Sequence, residues 1–156
     1  MLENKYQVSS IRYQGMITAI SVSKEKGTKK NNVDEAQLQE NFGIIGDAHA
    51  GQNLRQVSLL AEESIDKMRQ KGLKVKAGDF AENITTQGLD LLSLKIGDKL
   101  RAGQDAILEV SQIGKVCHAR CNIYYQAGDC VMPNEGIFAR VLKGGIVKPG
   151  DEIIIS

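Results

Sequence analysis

The chain has 156 residues, 42% of them hydrophobic and 25% charged, which is the size and composition of one globular domain. Twenty basic and nineteen acidic residues give a net charge of +1, so the overall charge provides no general attraction to nucleic acid or to an anionic membrane. No apolar stretch has the length of a membrane span and residues 1–7 lack a signal-peptide core, so we expect a soluble, cytoplasmic domain.

The first half of the chain predicts two strands and one helix. Residues 16–22 and 56–60 are rich in β-branched and aliphatic residues and predict strands. Residues 24–40 between them contain few apolar side chains and predict an exposed loop. Residues 61–71 predict a helix, with acidic residues in the first turn, basic residues near the end and Gly72 as the stop.

The second half of the chain predicts four more strands and one more helix. The strands are expected at residues 83–86, 99–101, 106–112 and 152–155. The second helix is expected at 133–142, because proline suits a first turn and Ile137, Phe138 and Val141 would share one face. Short strands at fairly even spacing, with sixteen scattered glycines, are typical of a barrel or a sandwich.

Five Gly-Asp pairs punctuate the chain. Glycine allows a positive φ and aspartate can bond to its own turn, so most of these pairs predict structural turns. They lie at residues 46–47, 78–79, 97–98, 128–129 and 150–151.

All three cysteines lie between residues 117 and 130. An odd number in an intracellular chain argues against a disulfide framework. Lys115, His118 and Arg120 place positive charge close to Cys117, which follows a predicted strand. Positive neighbours favour the thiolate, the form that attacks sulfur or binds a soft metal, whereas the alternative is a set of small buried side chains. We therefore predict that Cys117 is reactive.

Zinc is a separate alternative for the same segment. Cys117, His118, Cys121 and Cys130 would supply four ligands. Zinc fingers and ribbons usually pair their ligands in two separated knuckles, and here there is only one tight knuckle. Structural zinc is therefore the less favoured interpretation.

A second cluster, Gly-Asp-Ala-His-Ala-Gly at residues 46–51, is followed by Arg55. It combines a glycine turn that lets a ligand approach the backbone, the imidazole of His49, and an arginine suited to phosphate. Each of these residues taken alone is more typical of a solvated turn before a strand.

Several short motifs occur in a fixed order from about residue 15 to the end of the chain. They are found at residues 46–51, 55–60, 78–86, 88–90, 96–98, 109–112, 117, 136–142, 144–145 and 150–151. In this order and spacing the chain resembles the MOSC domain, the C-terminal domain of molybdenum cofactor sulfurases, in its compact stand-alone branch. It departs from many relatives at Ala48, where arginine is common, and at Val116, where proline is common.

The resemblance implies a mainly β fold, with a β-barrel core and a few short helices in a single domain over residues 1–156. It implies that Cys117 carries persulfide sulfur or ligates the molybdenum of a pterin cofactor, molybdopterin. Arg55 and Lys115 are expected to hold the phosphate of that cofactor, and Asn83 a polar edge of the pterin. The predicted cofactor-binding residues are His49, Arg55, Glu82, Asn83, Lys115 and Arg140.

The predicted function is therefore sulfur transfer or cofactor-dependent redox chemistry through Cys117, with the cofactor or its biosynthesis and acceptor proteins as partners. One alternative is a non-catalytic module that binds and delivers the molybdenum cofactor, and another is an interaction domain with structural zinc. Pyridoxal phosphate is not expected here, because in the full sulfurase it belongs to a different domain. The sequence leaves the oligomeric state, the substrate and the choice between molybdenum and tungsten open.

Overall fold

The computed structural model describes residues 13–26, 28–114 and 135–156. Within these residues it contains eleven strands, one α-helix and one short 3-10 helix, Leu91–Ser93. All six predicted strands are present, and the helix predicted at 61–71 is α1 (Glu62–Gln70). The strands are β1 (Gln14–Val22), β2 (Asn31–Val33), β3 (Ala36–Gln39), β4 (Gly43–Ile44), β5 (Val57–Ala61), β6 (Ile84–Gln87), β7 (Lys99–Ala102), β8 (Ala106–Ile113), β9 (Ile137–Lys143), β10 (Gly145–Val147) and β11 (Glu152–Ile155).

Seven of these strands form a closed barrel. They follow the order β11, β7, β8, β9, β5, β6 and β1, and β1 pairs back onto β11. Only β5 and β6 run parallel among the pairs of this barrel. β2 extends the sheet beside β1, and β10, β3 and β4 form a separate small sheet. The predicted mainly β fold with a barrel core is therefore confirmed.

Alternating aliphatic side chains fill the barrel. On β8, Ala106, Leu108 and Val110 are buried in the central core. On β5, Leu59 faces this core, whereas Leu60 packs in a second cluster. β5 is buried on both faces, which explains its nearly continuous apolar sequence.

α1 supplies the crossover between the parallel strands β5 and β6, and it covers the outside of the barrel. Ile65 and Met68, the predicted buried face, pack against Phe138. The helix ends in a Schellman motif: Gly72 N–H donates to the Arg69 carbonyl at 2.9 Å, and Leu73 N–H to the Met68 carbonyl at 3.3 Å. Gly72 has a φ of +93°, so it ends the helix as predicted.

The second predicted helix, over residues 133–142, is wrong at residues 137–142, which belong to β9. Ile137, Ala139 and Val141 alternate into the barrel core. Phe138 points to the opposite face and is also buried, because α1 covers it. Burial on both faces at one end of a strand produces neighbouring apolar residues that resemble a helical face.

The segment at 24–40, predicted to be an exposed loop, departs from that prediction because it contains β2 and β3. Ala36 and Leu38 on β3 are buried. Lys30, in a lysine-rich stretch, is only 1% exposed. The sequence pattern of residues 24–40 did not predict β2 and β3, because both strands are short and because one buried residue of this segment, Lys30, is charged.

Four of the five Gly-Asp pairs lie in the described residues, and all four form the same tight turn. The glycine φ lies between +92° and +97°, and the aspartate N–H donates to the carbonyl three residues earlier, as in a type II turn. In the turns at 76–79, 95–98 and 148–151, the aspartate carboxylate also accepts the N–H of the first residue. In the turn at 44–47, the carboxylate of Asp47 is instead directed inward.

No helix formed by residues 13–26, 28–114 and 135–156 is both long and apolar enough to cross a membrane.

We expect Gly78→Ala to destabilise the protein much more than Gly97→Ala. Both glycines occupy the same turn position, at φ values of +94° and +97°. A Cβ at Gly97 would meet nothing within 4 Å, whereas at Gly78 it would lie 2.4 Å from the Lys30 carbonyl oxygen. The positive φ costs either variant about 1–2 kcal/mol, and overpacking adds roughly 1–3 kcal/mol at Gly78. Urea denaturation of both variants measures this, and equal losses of unfolding free energy would contradict it.

Candidate functional site

A surface cleft of about 570 Å³ brings together two of the predicted site residues, His49 and Arg55. This volume lies within the range of small-molecule binding sites. Among the described residues that line it, none is a carboxylate and two are basic, one lysine and one arginine. The lining residues, which define what we call the Arg55 cleft, are Lys26, His49, Asn53, Leu54, Arg55 and Gln112.

Arg55, in the lining of the cleft, contacts two neighbours. Its Nε donates to Gln112 Oε1 at 3.1 Å, and its guanidinium lies 5.3 Å from the centre of the Phe138 ring. Because a guanidinium has five N–H donors, the contact with Gln112 uses one and the two Nη groups carry the other four. The side chain is oriented without losing its capacity to bind an anion.

His49 lies on the wall of the same cleft above a buried ion pair. Lys30 Nζ lies 2.8 Å from Asp47 Oδ1, and both side chains are fully buried. Lys30 Nζ also lies 3.1 Å from His49 Nδ1. Asp47 accepts the backbone N–H groups of His49 and Ser23, each at 3.1 Å.

Burial would raise the pKa of Asp47, but the hydrogen bond from Lys30 and the two backbone N–H groups outweigh it, so this pKa is lowered from its ordinary value of 3.8. Asp47 is therefore ionised at neutral pH. It contributes stability that is present above pH 3.8 and is lost as the pH falls through the folded-state pKa.

Asn83 lies inside the protein, away from the Arg55 cleft. It is completely buried, and its Oδ1 accepts the N–H of Ser58 at 3.0 Å and the hydroxyl at 3.2 Å. Its Nδ2 donates to the Ser21 carbonyl at 3.1 Å. The side chain therefore joins β5 to the carboxyl end of β1, across the strand β6 that Asn83 precedes.

Glu82 is also completely buried. Its Oε2 accepts the N–H of Gly78 at 2.8 Å and the hydroxyl of Thr85 at 3.1 Å, and its Oε1 accepts the N–H of Phe80 at 3.2 Å. These bonds fold the 78–82 loop around the carboxylate. The structure thus places Glu82 and Asn83 in an internal network rather than in the cleft.

Arg140 lies apart from the Arg55 cleft, on the outer face of β9. Its Nη2 donates to Glu109 Oε1 on the neighbouring strand at 2.6 Å. It is not among the residues that line the cleft.

Lys115 and Cys117 lie outside the described residues, as do His118, Arg120, Cys121 and Cys130. The described chain stops at Gly114, whose carbonyl accepts Gln112 Nε2 at 2.9 Å. Gly114 N–H donates to the carbonyl of Gly136 at 2.7 Å, one residue after the described chain resumes at Glu135. Both ends of the undescribed segment therefore meet beside Gln112, a residue of the Arg55 cleft.

Sequence reasoning did not single out Lys30, Lys26, Asn53 or Gln112. Lys30 belongs to a stretch that also contains Lys24, Lys26 and Lys29. Nothing in the sequence distinguishes the one lysine that becomes buried, because its acceptors come from two other parts of the chain.

Two other clefts suit an anion less well or contain no predicted site residue. One of about 440 Å³ is lined by the acidic residues Glu63, Asp90 and Glu135 and by one cation, Lys67, so its net negative charge opposes an anionic ligand. Another of about 740 Å³ is basic, but its lining at residues 29–31, 69, 73–76 and 79 includes no predicted site residue. Within the part of the chain that the structure describes, no group of three or more His, Cys, Asp or Glu could hold a metal ion.

The fold and the cleft define a small β-barrel domain with a cationic cleft on its surface. Residues 46–154 match the family model of the MOSC domain, which covers more than half of the chain. The chain belongs to the MOSC domain family, as its motifs predicted.

Solved structures share this fold. The YuaD protein from Bacillus subtilis has a TM-score of 0.78 at 20% identity, over 92% of this chain and 96% of that one. YiiM from Geobacillus stearothermophilus has a TM-score of 0.67 at 22% identity, over 91% of this chain and 75% of that one. YiiM from Escherichia coli has a TM-score of 0.62 at 22% identity, over 94% and 70%. No curated protein matches the chain in sequence.

We expect Asn83→Ala to lower the unfolding free energy by about 2–5 kcal/mol, because it leaves the buried Ser58 N–H and Ser21 carbonyl without partners. Asn31→Ala, at an exposed position on β2, is the control and should change stability little. Chemical denaturation of both variants gives the comparison. Equal effects would show that the network around Asn83 contributes nothing particular.

The stability of the protein should depend on pH through Glu82. Burial raises the pKa of its carboxyl above the ordinary value of 4.5, and the hydrogen bonds it accepts only partly offset this. Between pH 4.5 and the raised pKa, the folded protein retains a proton that the unfolded chain releases, so the unfolding free energy falls as pH rises.

Glu82→Gln cannot titrate, so it provides the reference for this prediction. The unfolding free energy of the parent minus that of the variant should decrease as pH rises above 4.5. Denaturation of both proteins across this pH range measures it. A difference that stays constant or increases with pH would contradict the assignment.

Proposed function

We propose that this domain binds the molybdenum cofactor at the Arg55 cleft and acts through Cys117 in sulfur transfer or cofactor-dependent redox chemistry. The observation that carries the proposal is the cationic lining of the cleft, beside the point where the chain leaves toward Cys117. Membership of the MOSC domain family supports it.

The residues of the cleft fit a phosphorylated pterin. Arg55 carries four N–H donors on its Nη groups, which can bind phosphate in the bidentate manner of a guanidinium, and Lys26 adds a second positive charge. The amide groups of Asn53 and Gln112 each donate one N–H to a backbone carbonyl. Each retains a second N–H that can donate to a polar edge of the pterin. This role was predicted for Asn83, which is buried elsewhere.

Cys117 supplies the soft ligand in this proposal. It follows Gly114 by three residues, and three residues of chain span at most roughly 11 Å. Lys115 adds a further cation next to it in sequence. A thiolate suits either molybdenum ligation or persulfide carriage. When bound, the molybdenum cofactor supplies a metal centre that exchanges electrons and oxygen or sulfur ligands.

A free thiolate persists in a reducing compartment, so we propose that the domain works in the cytoplasm. Its partners in this proposal are proteins that make the cofactor or accept it. Glu82 and Asn83 support the barrel wall in this proposal, and Arg140 has no place in the cleft.

The first measurement is the content of molybdenum, tungsten, zinc and pterin per chain after expression with molybdate and tungstate. We expect about one pterin and one metal per parent chain, and loss of the metal in Cys117→Ser with the barrel intact. Arg55→Ala should weaken cofactor binding roughly 10- to 100-fold, the loss of a charged hydrogen bond. Arg101→Ala is the matched control, because Arg101 is an exposed arginine on β7 paired with Glu152.

Zinc at one per chain without pterin would overturn the proposal in favour of a structural zinc site. Equal losses of cofactor binding in Arg55→Ala and Arg101→Ala would show that the cofactor does not bind in the cleft. Bound cofactor without sulfur transfer or turnover would reduce the proposal to its binding part and favour a delivery module.

A further inference from the structure

Arg55 differs from the other described arginines in the kind of acceptor that its guanidinium contacts. The other three arginines in residues 13–26, 28–114 and 135–156 each pair with a carboxylate; they are Arg69, Arg101 and Arg140. Arg55 Nε instead donates to a neutral carboxamide, Gln112 Oε1, at 3.1 Å. Among the described residues that line its cleft there is no carboxylate. Gln112 therefore holds Arg55 without offsetting its positive charge.

The carboxamide of Gln112 is fixed at both ends. Its Nε2 donates to the Gly114 carbonyl at 2.9 Å, and its Oε1 accepts the N–H of Arg55 Nε. The reversed orientation would place an N–H donor against the guanidinium, which has donors only, and an oxygen against a carbonyl oxygen. The carbonyl of Gly114 therefore determines which end of the carboxamide faces Arg55.

A β-bulge sets the direction of the Gln112 side chain. Val110 on β8 lies opposite Ala139 on β9. Two residues further along β8, Gln112 lies opposite Phe138, the immediate neighbour of Ala139, so β8 has one extra residue there. In a regular strand Gln112 would share a face with Val110, which is buried in the barrel core. The extra residue, Ser111, places Gln112 on the face of Phe138 instead.

The same bulge brings several contacts to one arginine. The hydroxyl of Ser111 donates to the carbonyl of Leu54, the residue before Arg55. The ring of Phe138, opposite Gln112 in the ladder, lies 5.3 Å from the Arg55 guanidinium. The bulge thus fixes the backbone next to Arg55 as well as its side chain. Bulges are over-represented beside functional sites, where they redirect a side chain.

We propose that Gln112 is a positioning residue that orients Arg55 for an anion and leaves its positive charge intact. A carboxylate at this position would also accept the N–H of Arg55 Nε, but its negative charge would oppose an anion in the cleft. An aliphatic side chain would leave the charge intact and lose the orientation. The neutral acceptor meets both requirements. The use for anion binding rests on the proposed function, whereas the orientation of Arg55 does not.

The first test is the exchange of the Arg55 Nε proton with water, measured by ¹H–¹⁵N NMR in the full chain without added ligand. Arg55→Lys identifies the signal by its loss. Gln112→Met is similar in length but has only a weakly accepting sulfur, and it should accelerate exchange roughly 2- to 10-fold, the range for the loss of one hydrogen bond. Gln112→Glu should keep exchange slow, because a carboxylate also accepts the bond. Unchanged exchange in Gln112→Met would show that Gln112 does not position Arg55.

The second test is the affinity of the full chain for inorganic phosphate, followed by the NMR shifts of backbone amides in the cleft. Gln112→Met should weaken binding roughly 2- to 10-fold, because the anion must then order the Arg55 side chain itself. Gln112→Glu should weaken binding more, because its charge opposes the phosphate. Gln87→Glu adds the same charge at an exposed position on β6, so it is the matched control and should bind like the parent.

A double-mutant cycle separates positioning from direct contact with the anion. In an Arg55→Ala background, Gln112→Met should cause no further loss of phosphate affinity. A further loss equal to that in the parent background would show that Gln112 does not act through Arg55, and would overturn the proposal. Parental phosphate affinity in Gln112→Glu, or a parent that binds no phosphate, would overturn the role in anion binding.

These tests and the pterin measurement distinguish the two proposals. A chain that binds phosphate through Arg55 and Gln112 but binds no pterin would overturn the proposed function alone. Pterin binding by a chain whose Gln112→Glu variant binds phosphate as tightly as the parent would overturn the role of Gln112 alone.

Discussion

The cleft depends on one buried ammonium group. Lys30 can be buried only because Asp47, Ser23 and His49 replace its hydration shell with three acceptors. Removing one partner of such a pair leaves an uncompensated buried charge, which typically costs about 3–5 kcal/mol. Lys30 joins the 24–30 segment to Ser23, the residue that follows β1, and to Asp47 in the turn at 44–47. The wall of the cleft that carries His49 therefore depends on this ion pair.

The Gly-Asp turns show how a local motif acquires a separate role. Four described turns have the same glycine conformation and the same backbone hydrogen bond. In three of them the aspartate returns to its own turn, at 2.8–3.0 Å from the N–H that it accepts. Asp47 instead forms an ion pair with Lys30, which belongs to a different segment. The local sequence is sufficient for the turn, while the use of the carboxylate depends on what packs against it.

The family motifs combine two kinds of residue. Glu82 and Asn83 accept and donate hydrogen bonds entirely within the protein, so they hold the 78–82 loop and β5 against β1. His49 and Arg55 line a cleft and are not fully buried. Residue type did not separate them, because a carboxamide that completes a buried network and one that binds a pterin look the same in a sequence. Burial, which depends on long-range contacts, decided between these roles.

The sequence by itself determined the class of fold, six of the seven barrel strands, the crossover helix with its glycine stop, and the motif order that places the chain in its family. The strands and the helix with its stop are local features, since they follow from alternation, turn chemistry and capping within a few residues. The family assignment rests instead on the resemblance of motifs spread along the chain. Only the tertiary structure decided that 137–143 is a strand, because its apolar pattern reflects α1 on one face and the barrel core on the other. It also decided which of several neighbouring lysines is buried and that Asn83 lies inside. A polar group can be buried only where it finds hydrogen-bond partners, and these partners are distant in the chain. A local sequence pattern does not predict where they lie.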